Sequence, residues 1–151
     1  MNKLYYFEDL PEGTVLRATR PVTLDRDSVL EFARAYDPQP AHLGEESGAA
    51  SQFGVFCASG WQTVGVSMRM MVEAMPVAGG AMGAGVETLN WPRMVLPGDT
   101  LTTEVEILGA RVSRSRPEKG VAKVRCVTRN QRGEVVLEMT STILLPRKMM
   151  A

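Results

Sequence analysis

Cysteine is scarce in this chain of 151 residues: there are two, Cys57 and Cys126, and they do not form a CxxC pair. That excludes a disulfide framework and a cysteine-based zinc site. Both thiols read as buried groups in a reducing compartment. Net charge is missing too, because 17 basic and 17 acidic residues cancel. A balanced chain argues against non-specific nucleic-acid binding, which needs a basic surface. The strongest local departure is the basic stretch Arg111, Arg114, Arg116 and Lys119. No apolar run approaches the roughly 20 residues of a membrane helix. Residues 1–9 mix aromatic and acidic side chains and lack the basic start and apolar run of a signal peptide. The expected location is therefore the cytoplasm, with neither membrane nor nucleic acid as partner. Histidine occurs once, as His42.

What is present describes an ordinary globular chain. Apolar residues make up 44% and charged residues 23%, near the globular average. The length suits a single domain over residues 1–151, large enough for a core without staples. Repeats, low-complexity tracts and long linkers are absent.

The patterning changes along the chain. Residues 14–24 alternate loosely and are rich in β-branched side chains, which predicts a strand. Asp25 or Asp27 can cap a following helix. Val29, Phe32, Ala33 and Tyr36 fall at i, i+3, i+4 and i+7, one face of that short helix. It cannot run far past Tyr36, because Pro38 and Pro40 disfavour helical geometry at Asp37 and Gln39. A polar stretch over 43–52 precedes a second helix over about 58–74, apolar almost all round and so expected to be buried. Gly79, Gly80, Gly83 and Gly85 then predict a loop.

From Val86 onward the signals are strands and turns. Leu101, Thr103, Val105 and Ile107 share one face; so do Ala122, Val124 and Cys126, and Val135, Leu137, Met139, Ser141 and Ile143. Gly98-Asp99 and Arg132-Gly133 supply the turns. The fold class is α+β, an antiparallel sheet wrapped around one long helix.

The chemistry-bearing segment is Asp37-Pro38-Gln39-Pro40-Ala41-His42. Histidine is the side chain best suited to moving protons near neutral pH. A carboxylate five positions earlier shares that work if both reach one water. A lone loop histidine is more often structural, and a double proline is often plain turn chemistry.

The wider pattern decides for chemistry. This segment resembles the Asp-x-Asn-Pro-x-His motif of the MaoC-like, (R)-specific enoyl-CoA hydratases. The resemblance continues through residues 53–61, Phe-Gly-Val-Phe-Cys-Ala-Ser-Gly-Trp, then Asn90-Trp91-Pro92, then residues 95–101. It implies the hotdog fold, a hydro-lyase acting on 2-enoyl thioesters, and Asp37 and His42 as the catalytic pair. It also implies an oxyanion contact from the Gly60 backbone N–H, with Ser59 and Gln39 beside the substrate. For Gly60, tight helix packing is the alternative, and both can hold. No metal or separate cofactor is implied; coenzyme A or an acyl carrier protein comes as part of the substrate. A homodimer or higher homo-oligomer is expected.

Departures from the motif are Gln39 for its asparagine, Tyr36 for the small residue before its aspartate, and Ser59 where many members have histidine. Some members carry a serine on the helix where Met68 stands here, with Ser67 adjacent. Met68, Met70, Met71 and Met75 suit either core packing or an acyl tunnel. The basic stretch at 111–119 is either a solvated hairpin end or a contact for coenzyme A phosphates. Two other functions share the fold class. A hotdog thioesterase would place a carboxylate on the central helix, where Glu73 comes late. A non-catalytic acyl-thioester-binding subunit would typically lose the Asp/His pair.

Overall fold

The computed structural model describes residues 3–149. Its sheet is antiparallel. β4 (Thr100–Val112), β5 (Lys119–Arg129) and β6 (Val135–Pro146) form its body. β3 (Met82–Asn90) adds to β6, and β1 (Val15–Arg17) adds to β4, giving the order β1-β4-β5-β6-β3, with β2 (Val22–Thr23) also on β4. The predicted alternation sets the register. Val105 lies opposite Cys126 and Cys126 opposite Met139, while Ile107 lies opposite Val124 and Val124 opposite Ser141. The apolar sets therefore form continuous rows on one face.

Helix α3 (Gly60–Ala74) packs on those rows. Met71 and Met75 meet Val105, Ile107, Val124, Leu137 and Met139 in the main core. A second cluster joins α1 (Arg26–Tyr36) to α3 and the sheet, through Val29, Leu30, Phe56, Met70, Leu101 and Val136. Burying each such side chain contributes about 1.5–3 kcal/mol. Among the described residues, no helix is long and apolar enough to cross a membrane.

Several expectations change. Residues 14–24 form two short strands because the chain turns aside between them. Thr19 leaves the ladder to donate its N–H and hydroxyl to Glu73 on α3, at 3.3 and 2.6 Å. On α1, Tyr36 is 77% exposed, and Leu30 takes the place in the core that the helical spacing assigned to it. The polar 43–52 stretch contains α2 (Glu45–Ala50), too short and polar for a periodicity signal. Its Gly48 lies so close to Phe56 that a Cβ there would meet backbone at 2.5 Å.

Helix α3 starts two residues later than predicted. It is not buried all round: Trp61, Met68 and Val72 form an exposed stripe. Gly83 and Gly85 belong to β3, where the register shifts between them, so they mark an irregular strand and not a loop. The basic stretch sits where β4 turns into β5, with Val112 paired to Gly120. Roughly 30 Å of strand separates it from the opposite hairpin, at about 3.3 Å per residue.

Candidate active site

Asp37 is the C-cap of α1. Asp25 starts that helix by accepting the Ser28 N–H at 2.8 Å. Val29, Leu30 and Ala33 bury one face, and the Asp37 N–H closes the last turn on the Ala33 carbonyl at 2.9 Å. Pro38 prevents another turn. The backbone leaves the helix at φ −149°, ψ 69°, which projects the carboxylate off the helix end. Pro40 then opens a 3-10 turn over Pro40–His42, closed by the His42 N–H on the Gln39 carbonyl at 2.9 Å. The two prolines thus bring His42 back beside Asp37.

His42 is 5% exposed. Its Nδ1 lies 2.7 Å from the Cys57 carbonyl oxygen. A carbonyl only accepts, so Nδ1 carries the proton and, in the neutral ring, Nε2 presents a lone pair. Nε2 faces Asp37 Oδ2 at 3.4 Å. Two acceptors at that distance do not bond to each other; together they suit one donor of two protons set off the line that joins them, on the cavity side.

The carboxylate is held on both sides. Ser59 Oγ donates to Oδ2 at 2.6 Å and Gln39 Nε2 donates to Oδ1 at 2.7 Å. Burial pushes the Asp37 pKa up, but the hydrogen bonds from Ser59 and Gln39 and the nearby His42 charge outweigh it. The balance leaves Asp37 below its ordinary value. Ser59 also caps α3, accepting the Trp61 N–H at 3.2 Å. It is fully buried behind the carboxylate. Its hydroxyl is committed to Asp37 and to the helix, so it does not face a substrate directly.

Asp37, His42 and Gln39 open into a cavity of about 270 Å³ that Gly60, Phe53, Trp61, Trp91 and Arg93 also line. Gly60 is the first residue of α3, where backbone N–H groups lack intrahelical acceptors and the helix dipole favours negative charge. Trp91 packs directly on it. Its indole N–H donates to the Gly60 carbonyl at 2.9 Å, and a Cβ on Gly60 would lie 2.7 Å from the ring. The packing alternative for Gly60 is therefore real, and Gly60 also lines the cavity. Trp61 meets Trp91 edge-on, with ring centroids 5.5 Å apart.

The other candidates lie elsewhere. Ser67 is buried against the sheet, 2.6 Å from Thr128, which in turn contacts Thr103 at 2.7 Å. Met70, Met71 and Met75 belong to the core, and the last two also border, with the exposed Met68, a separate apolar groove of about 590 Å³ between α3 and β3. Glu73 is bound to Thr19 and lines a recess distant in sequence and surroundings from Asp37. Sequence reasoning missed the cavity roles of Trp91, Arg93, Phe53 and the Cys57 carbonyl. The Asn90-Trp91-Pro92 segment was visible, but nothing in one dimension places an indole on a glycine 31 positions earlier.

A sheet wrapped on a central helix, with this pair at the helix start, defines a hotdog-fold protein of the MaoC-like dehydratase type. Residues 8–130 match the model of the MaoC like domain, and the chain belongs to that family. Among particular relatives, YdeM of Bacillus subtilis (strain 168) is 31% identical over 131 residues, 85% of this chain and 91% of YdeM. The MaoC-like dehydratase from Rhodospirillum rubrum has a similar structure at TM-score 0.91 and 37% identity, covering 97% of this chain and 99% of that one. The R-hydratase PhaJ1 from Pseudomonas aeruginosa shares the fold at TM-score 0.72 and 22% identity, over 97% and 91% of the two chains.

Proposed function

We propose that this protein hydrates 2-enoyl thioesters to (R)-3-hydroxyacyl thioesters, or runs the reverse dehydration. The observation that carries the reading is the facing pair of acceptors, His42 Nε2 and Asp37 Oδ2, 3.4 Å apart at the wall of a cavity. One water donates a proton to each. As its oxygen bonds to the β-carbon, one proton passes to the pair and the enoyl π electrons move toward the thioester carbonyl. The α-carbon then takes the proton back on the same face, and the thioester is restored.

The transient negative charge on the thioester oxygen falls at the Gly60 N–H. Such a donor typically contributes about 3 kcal/mol of transition-state stabilisation. Gln39 and Ser59 keep Asp37 ionised and aimed. These side chains do the proton chemistry, and coenzyme A or an acyl carrier protein enters as part of the substrate. The hydratase character of PhaJ1 and the dehydratase description of the Rhodospirillum protein support the reaction class.

A homodimer belongs to the same reading. Among the described residues β3 pairs on one side only, with β6, and eight of its nine residues are exposed. Beside it lies the apolar groove, bordered by the exposed Met68 and Val72. An unpaired edge and an uncovered apolar face together suit a second copy. Sedimentation should then give about twice the 16.5 kDa of one chain. A monomer at micromolar concentration would refute it.

The test of activity is loss of enoyl absorbance with crotonyl-CoA. Asp37→Asn and His42→Ala should each lower turnover by about two orders of magnitude or more, with the far-UV circular dichroism unchanged. Near-normal turnover in either variant would sink the assignment.

A further inference from the structure

Next to the cavity that holds the Asp37–His42 pair lies a second recess of about 490 Å³, and the two share Trp91, Arg93 and Met94 among their lining residues. The far side of this recess is the β5–β6 hairpin, which contributes Asn130, Arg132 and Glu134. It holds two guanidinium groups against one carboxylate. Glu134 fixes both. Arg93 Nη1 reaches its Oε2 at 3.1 Å, and Arg132 Nε donates to its Oε1 at 2.7 Å. Asn130 Nδ2 donates to the same Oε1 at 3.1 Å, and its own Oδ1 accepts the N–H groups of Arg132 and Glu134. Each guanidinium gives one nitrogen to Glu134 and keeps further N–H donors free to bind an anion. The pair is thus held in place with surplus positive charge before any ligand arrives.

Resting on the hydratase reading, we propose that this recess receives the phosphate-bearing carrier arm of the thioester, with Arg93 as the residue that reads its phosphate. A thioester with its carbonyl at Gly60 and its β-carbon at the Asp37–His42 pair must send its sulfur end out of the cavity. The adjoining recess, reached past the shared Trp91, Arg93 and Met94, is the space we assign to it. Trp91 and Met94 present apolar surface to the amide-linked arm, and Arg93 stands at the junction with its side chain 62% exposed. A guanidinium fork matches the geometry of phosphate oxygens. An acyl-borne carboxylate is the poorer occupant, because it would share the cavity with the ionised Asp37. The basic stretch at 111–119, at the opposite end of the strands, is not needed for this contact.

The experiment compares crotonyl-CoA with crotonyl-pantetheine, which carries the same thioester without phosphate. The preference for the coenzyme A thioester, as a ratio of kcat/KM values, should fall about tenfold or more in Arg93→Ala. The change should lie in KM and not in kcat, and Arg93→Lys should restore part of it. Raising the salt concentration should erode the preference of the unaltered protein more than that of Arg93→Ala. An unchanged ratio overturns the proposal. So does a loss seen only with 2-enoyl thioesters that carry a terminal carboxylate, which would assign Arg93 to the acyl group instead. If the unaltered protein turns over neither thioester, the hydratase reading fails and takes this one with it; an unchanged ratio in an active enzyme removes the recess alone.

Discussion

Gly60→Ala is the most informative single perturbation, because one methyl group separates packing from catalysis. A Cβ at Gly60 would lie 2.7 Å from Trp91 Cε2, 2.8 Å from Nε1 and 3.2 Å from Cδ2. Two of these are closer than carbon and its neighbours tolerate, so the indole must move. Trp91 is 41% exposed and can swing outward. Doing so breaks its hydrogen bond to the Gly60 carbonyl, 2.9 Å in the native protein, which costs about 0.5–1.5 kcal/mol. Alanine offsets much of that, since it favours a helix over glycine by up to about 1 kcal/mol. Stability should therefore change by less than about 1 kcal/mol. Turnover should fall much further. In the proposed mechanism the thioester lies against the Gly60 N–H, and a displacement near 1 Å costs on the order of 100-fold, about 2.7 kcal/mol of barrier. Two measurements read this out together. Urea unfolding gives the stability, and intrinsic fluorescence reports the indole shift, because Trp61 and Trp91 are the only tryptophans and both border the cavity. Trp91→Ala should make the stability part of the Gly60→Ala defect smaller, since the clash is then absent. A fully active Gly60→Ala protein with unchanged emission would refute the argument.

Other outcomes follow from the same geometry. Ser59→Ala removes a hydrogen bond that favours the Asp37 carboxylate, so the Asp37 pKa must rise and the acid limb of kcat/KM move to higher pH; Ser59→Thr, which keeps the hydroxyl, should move it less. The depressed pKa also contributes stability that is present above the ordinary aspartate range and lost as pH falls through the folded value. Ser59→Ala therefore narrows that acid window, besides costing about 1 kcal/mol as a lost helix cap, and acid denaturation checks both. Leu137→Ala, at a fully buried core position, should destabilise by about 2–5 kcal/mol in urea. Ser67→Ala should cost about 1 kcal/mol, because Thr128 keeps Thr103 as a partner, and should leave enoyl hydration kinetics as they were; a large kinetic defect would move Ser67 into the site.

The strands of the second half were legible because their alternation is a one-dimensional record of a two-sided environment. Leu101, Thr103, Val105 and Ile107 are all buried, as their spacing predicted. Local rules also set the end of α1, since Pro38 acts on its immediate neighbour. Where the reading erred, a distant partner had won. Thr19 left the predicted strand for Glu73, 54 positions away. The α3 face bearing Trp61, Met68 and Val72 looked buried because composition does not say whether a covering surface lies within the same chain.

The candidate site divides in the same way. Asp37, Gln39 and His42 lie within six residues, and stiff local geometry brings them together, so the sequence by itself determined that a carboxylate and an imidazole would meet. Only the tertiary structure decided what they can do. The Cys57 carbonyl selects the His42 tautomer, Ser59 buttresses the carboxylate, and Trp91 closes over Gly60, with Arg93 at the rim. Those partners come from the α3 entry and from the segment after β3. Side chains that far apart in sequence meet only when packing of the core seats α3 on the sheet, and no local propensity encodes that distance.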